Sequence, residues 1–269
     1  EVEVYEVFNR EWNFYALLYT DFFPRPGKRN GAWMTSYRGQ KKGQRPHISI
    51  VCNFSKNTAN TPSLLTFQEV TTLFHEFGHA LHGILANTNY GGLSGTNVFW
   101  DFVELPSQIM ENWCYEKEAL KLFAKHYKTG KLLPMEYIDK IKKVARFQQG
   151  LQTLRQLGFG FLDLSYHCKD ATKIEDVKAH ESQILERVQF LRNYPESCAS
   201  TAFSHIFQGG YSAGYYSYKW SEVLDADAFE LFLEKGIFDP KTAKSFEDNI
   251  LSKGGTEHPM TLYRRSRGK

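Results

Sequence analysis

His75-Glu76-Phe77-Gly78-His79 sets two imidazoles four residues apart with a carboxylate beside the first. On a helix that spacing puts both rings on one face, about 6 Å apart along the axis. One ion fits between them. Zn–N bonds of about 2.0 to 2.1 Å let both nitrogens reach a single Zn²⁺, with Glu76 placed to accept a proton from an activated water. With 9 histidines in 269 residues, chance placement gives about 0.02 such pentapeptides, so accident is a poor explanation. An ordinary solvent-facing pair of histidines is the competing reading. Gly78 speaks against it, because a glycine inside a helix costs about 1 kcal/mol relative to alanine and asks for a reason such as a closely packed backbone.

The element that must carry these residues is readable. Thr66-Phe67-Gln68-Glu69 has the capping-box form, in which a hydroxyl and a carboxylate satisfy backbone donors left free at a helix start. The spacing predicts a helix from about residue 66 to 86. Val70, Leu73, Phe74, Phe77, Leu81, Ile84 and Leu85 fall on one arc, with His75, His79 and His82 on the opposite side. His82 lies about 10.5 Å along the axis from His75, too far to share one ion, and is assigned to packing or substrate contact. The metzincin spacing requires Gly at position 82 and His at 85, where this chain has His82 and Leu85. A zincin completed by a carboxylate from a second stretch remains.

That stretch is Asp101 to Trp113, entered through the flexible Gly91-Gly92-Leu93-Ser94-Gly95 loop, with a helical pattern interrupted by Pro106. Glu104 and Glu111 are seven apart and share a face. One can ligate the metal while the other accepts the remaining N–H of a ligating imidazole; spacing alone leaves the two roles open. A third stretch, His205 to Trp220, holds Gly209 and Gly210 and then Tyr211, Tyr215, Tyr216 and Tyr218. Aromatic packing is one reading, and hydrogen-bond donation to a developing oxyanion is the other.

HEFGHALH at 75 to 82, SGT at 94 to 96 and DFVELPSQIMENW at 101 to 113 resemble the thimet oligopeptidase and peptidyl-dipeptidase family. FFPRPGKRNGAW at 22 to 33 and the closing SKGGTEHPMTLYRR extend the likeness over nearly the whole chain. The resemblance implies that His75, His79 and Glu104 hold one Zn²⁺, that Glu111 supports them, and that Glu76 is the general base. It implies oxyanion stabilisation by Tyr211 and Tyr218, substrate or intermediate contact by His205, and a substrate wall including Tyr215, with Gly209 and Gly210 letting the loop close over bound peptide. Trp100 stands where some relatives carry Arg, which removes any ion pair made there. Relatives of this family are much longer, so residues 1 to 269 are expected to be the catalytic metallopeptidase domain of a larger chain whose preceding helical region lies outside this sequence.

The expected reaction is zinc-dependent hydrolysis of peptide bonds in short unfolded peptides, by release of carboxyl-terminal dipeptides or, alternatively, by internal cleavage as an oligopeptidase. A zinc-binding module without turnover and a helical interaction protein with incidental histidines are the readings from other classes. A net charge of +3 is too small to make nucleic acid a default partner, and no apolar window reaches the roughly 18 residues of a membrane span. Short peptides are the expected partners, with a monomeric, cytoplasmic full-length form. Cys52, Cys114, Cys168 and Cys198 form no C-x-x-C pair and are expected to be reduced.

The fold class expected is mainly α, a multihelical zincin-like domain with a few short strands near the amino end. A β-hairpin is predicted over residues 2 to 19, turning at Arg10 to Asn13, and a strand at His47 to Phe54. Between them, residues 25 to 46 carry seven basic and no acidic side chains, +7 against −4 for the remainder; with six glycines and prolines at 24 to 43 the stretch is read as a loop. It is either a solvated loop or a site that attracts a carboxylate, from any of seven cations. Further helical spacing occurs near 101 to 125, 134 to 167, 174 to 192 and 212 to 234.

Overall fold

The computed structural model describes residues 2 to 191, 194 and 196 to 268. Four strands open the chain: β1 Glu3–Phe8, β2 Phe14–Asp21, β3 Trp33–Arg38 and β4 His47–Val51. They form one sheet in the order β1-β2-β4-β3. β1 and β2 make the predicted antiparallel hairpin, with Val4 opposite Tyr19 and a bulge at Val7 and Phe8. β2 runs parallel to β4, Leu18 opposite Ile48, and β3 is antiparallel to β4. The loop predicted over 25 to 46 thus contains a strand. Trp33-Met34-Thr35-Ser36-Tyr37 has the aromatic and β-branched content of one, and pairing with β4 outweighs the flanking glycines.

Ten α-helices follow among the described residues: α1 Phe67–Ile84, α2 Leu105–Glu111, α3 Lys117–Phe123, α4 Met135–Val144, α5 Gln149–His167, α6 Val177–Leu185, α7 Ala199–Ala202, α8 Ser217–Lys235, α9 Pro240–Phe246 and α10 Pro259–Arg267. The mainly helical class expected is the one observed. Two predicted helices are broken. The stretch near 101 to 125 becomes a 3-10 turn at Trp100–Phe102, α2, a second 3-10 turn at Asn112–Tyr115, and α3. Pro106 opens α2 rather than interrupting it, since proline is tolerated in a first turn whose N–H groups lack intrahelical partners. The stretch near 134 to 167 divides at Gln148, which adopts a left-handed conformation with φ 53°. No helix among the described residues is long and apolar enough to cross a membrane.

α1 starts where the capping box places it: the Thr66 hydroxyl accepts from the Glu69 amide, and the Glu69 carboxylate accepts from the Thr66 amide at 2.7 Å. Its Ala80 and Ile84 pack against the sheet through Ala16, Leu18, Ile48 and Ile50. The side expected to face away is covered as well. A Cβ added to Gly78 would stand 2.2 Å from the Pro106 carbonyl oxygen and 2.6 Å from Ser107 Cα, so glycine is what lets α2 lie directly on α1. A second core joins Leu105 and Ile109 of α2 to Leu224, Phe229 and Phe232 of α8 and Leu262 of α10. A third, around Leu162, Ile206 and Tyr215, ties α5 to the segment that follows α7.

Candidate active site

Glu104 stands at the amino end of α2, where the Gly78 contact brings it beside α1. Its Oε2 lies 3.2 Å from His75 Nε2 and 3.1 Å from His79 Nε2. The candidate ligand atoms of these three residues all fall within 4.8 Å of one another. Two imidazole nitrogens and a carboxylate oxygen, converging from two rigid helices, form a donor set that suits a divalent metal. His75 Nδ1 meets Glu111 Oε1 at 2.7 Å. The two carboxylates that spacing could not tell apart therefore occupy different places, one at the shared nitrogen side and one behind a single ring.

The electrostatics follow from this packing. Burial penalises the Glu104 charge, but His79 and His75 outweigh it and hold the carboxyl well below the usual range. Burial pushes His75 down, and its hydrogen bonds to Glu104 and Glu111 reverse the sign, leaving the ring well above its ordinary value. Glu76 is 6% exposed and its Oε2 has no hydrogen-bond partner among the described residues. Burial raises its pKa above the ordinary carboxylate range even against the two histidines. A carboxylate poised upward suits a group that must take and return a proton.

His82 is wholly buried, its two ring nitrogens without partners among the described residues, and burial pushes it down to about 3. It packs as a neutral ring away from the ligands. Of its two expected roles, packing is the one its place allows.

These groups open into a cleft of about 1050 Å³ whose wall includes His75, Glu76, His79, Glu104, Tyr211 and Tyr218. The Tyr211 hydroxyl donates to Glu104 Oε1 at 2.5 Å, so Glu104 serves the histidines with one oxygen and a phenol with the other. The Tyr218 hydroxyl meets His205 Nε2 at 3.2 Å, and the Tyr211 and Tyr218 rings stack at 5.3 Å. Burial, then the Glu104 charge, raises both phenols, which therefore stay protonated. Burial lowers His205, keeping it neutral. Gly209 lines the cleft.

One expected wall residue sits elsewhere. Tyr215 is 7% exposed, packs with Leu162 and Ile206, and donates to Gln156 at 2.9 Å, so it backs the wall instead of forming it. A Cβ on Gly210 would lie 3.0 Å from the Trp100 ring, and one on Gly214 2.5 Å from it. Trp100, itself part of the cleft wall, thus packs on both glycines and on the Tyr211 ring at 4.9 Å.

Sequence reasoning missed Asp163. This fully buried carboxylate on α5 accepts from the amides of Ala213 and Tyr215 at 2.8 and 2.9 Å, across a turn in which Ala213 has φ 58°, and it pairs with His167. It fixes the tyrosine-bearing segment from behind. An acid on a helix of mixed polarity gave no signal in the chain.

Residues 1 to 269 match the description Peptidase family M3. The chain belongs to that family. M3 peptidases are metallopeptidases, which the three-ligand cluster fits. Oligopeptidase A of Haemophilus influenzae is 43% identical over 276 residues, covering 100% of this chain and 40% of that protein. Dipeptidyl carboxypeptidase of Escherichia coli is 39% identical over 273 residues, again covering 100% and 40%. This M3 chain spans about two fifths of the length of these relatives. Among solved structures, one titled PZ peptidase A with inhibitor 2 has a TM-score of 0.63 at 17% identity, covering 92% of this chain and 39% of that one, a likeness of fold.

Proposed function

We propose that this chain is the catalytic domain of a longer zinc peptidase that hydrolyses peptide bonds in short unfolded peptides. The observation that carries the reading is the meeting of His75, His79 and Glu104 within 4.8 Å, with Glu76 beside them in the cleft. When bound by those three residues, zinc would supply Lewis acidity toward a water and the scissile carbonyl. Glu76 takes the proton of the attacking water and returns it to the leaving amine. Tyr211 and Tyr218, as protonated phenols, donate to the oxygen that gathers charge. His205, neutral, holds Tyr218 in place, and the left-handed Gly209 and Gly210 let the segment close over substrate.

For the mode of cleavage we favour release of carboxyl-terminal dipeptides. Internal cleavage by the same site is the second reading, supported by the somewhat higher identity to proteins named oligopeptidase A, 43% against 39%. The full-length form is proposed to be a cytoplasmic monomer, a compartment that suits the four free cysteines.

Glu76→Gln tests the proposal. Cleavage is expected to fall by about 10³-fold, with one zinc per chain retained in elemental analysis. Cleavage that survives with zinc bound overturns the role of Glu76, and absence of stoichiometric zinc from the wild-type protein overturns the metal site.

A further inference from the structure

The seven cations of residues 25 to 46 are sorted by the fold. Arg25 and Lys28 pair with Asp21, and Lys28 also donates to the carbonyls of Phe23 and Cys52. Arg45 is spent on the carbonyls of Tyr15, Ile84 and Ala86, where it closes the carboxyl end of α1. Arg38 donates to the Arg45 carbonyl. Lys41 and Lys42 occupy the small turn bridged between Lys41 and Gln44, off the cleft wall. Arg29 is different. It lines the cleft that contains the metal cluster, it is ion-paired with no described residue, and its guanidinium lies 5.2 Å over the Trp33 ring.

A cation stacked on an indole is oriented without being neutralised. Its planar fork remains free for the one partner it matches in two hydrogen bonds, a carboxylate. Of the acidic groups already in the cleft wall, Glu104 belongs to the ligand cluster and Glu76 stands beside it on α1. His205 lines the same cleft and feels the Arg29 charge, which adds to burial in lowering it.

We propose that Arg29, held over Trp33, is the substrate-anchoring residue of this cleft and binds a carboxylate of the peptide. That carboxylate is the free carboxyl terminus or, by the same chemistry, an Asp or Glu side chain near it. The inference deepens the peptidase reading and rests on it for the identity of the ligand. An anchor for a free terminus would direct cleavage a fixed distance from the end, whereas an anchor for an acidic side chain would select sequences.

The test measures binding by calorimetry, so turnover is not needed. The metal-loaded protein, wild type and Arg29→Gln, is titrated with short peptides that end in a free carboxylate, in a carboxamide, and in a carboxamide preceded by Glu. Wild type is expected to bind the free acid about tenfold or more tightly than the plain amide, and Arg29→Gln to bind both alike. Arg29→Lys is expected to keep part of the preference, since it keeps charge but loses the fork. An Arg29-dependent gain confined to the Glu peptide also supports a carboxylate site and identifies its source as the side chain. Acid-to-amide and Glu-to-amide ratios that are both unchanged by Arg29→Gln overturn the proposal. Failure of the peptidase reading shows separately, as wild-type protein that binds zinc yet leaves every peptide intact.

Discussion

Glu104 has two oxygens and four claimants. Oε2 faces both imidazoles, Oε1 receives Tyr211, and the Ser107 hydroxyl lies 2.8 Å from Oε2. Such saturation fixes the carboxylate before any metal arrives, which is the benefit of a supporting shell. Glu111 does the same for one ring, through His75 Nδ1. Glu111→Gln is therefore expected to weaken metal affinity about 10- to 100-fold, read by competition against a chelator; an unchanged affinity would remove its supporting role. Behind it, Asp225 on α8 accepts from Asn112 at 3.2 Å and is raised by burial to about 7 from its ordinary value near 3.8. A carboxyl raised on folding contributes stability that is present below pH 3.8 and is lost as pH climbs through 7. Asp225→Asn should thus match wild type at pH 4 and exceed it at pH 8 by on the order of 2 kcal/mol in urea unfolding. A gain of equal size at both values would refute the burial account.

Among elements, the contact of α1 with α2 decides whether the ligands meet. Gly78→Ala improves helix propensity by about 1 kcal/mol but sets a methyl into the Pro106 carbonyl and Ser107 Cα, backbone atoms with no freedom to yield. Overpacking of this kind costs about 3 kcal/mol, so the net expectation is destabilisation by about 2 kcal/mol with weaker metal binding, checked by thermal melting and metal titration. A stabilised variant would show that the helices separate freely. Local signals exposed α1 well, because its cap, its apolar arc and its histidines all lie within twenty residues. The same reading asked for a reason for Gly78 and could not supply α2 as that reason, since the contact joins residues 28 apart. Pro240 and Pro259, each preceded by a side chain that caps a helix, mark the starts of α9 and α10, helices too short to show a period of their own. β3 is hidden among basic residues and glycines, and the spacing of the phenols does not say that Tyr215 is the one that turns inward. Asp163 gives no signal because the two amides it holds lie about fifty residues away, and its local partner His167 is an ordinary helix-face pair.

Across the whole molecule, the elements of the histidine and carboxylate cluster are sequential while the tyrosines beside it are distant in the chain. Residues 67 to 111 bring His75, Glu76, His79 and Glu104 together, and the tyrosines arrive from beyond residue 210 through a turn held by one buried acid. The two sides therefore differ in anchoring. α1 is clasped by the sheet on one side and by α2, with its separate core, on the other. No small fluctuation uncovers its middle turns. In deuterated solvent the amides of residues 78 to 84 should trade their protons only when the entire domain opens, whereas those of 205 to 214, next to Gly209 and Gly210 at φ 78° and 89°, should do so through local excursions. The half of the site built on α1 is thus expected to keep slow time, and the half that carries the tyrosines a faster one.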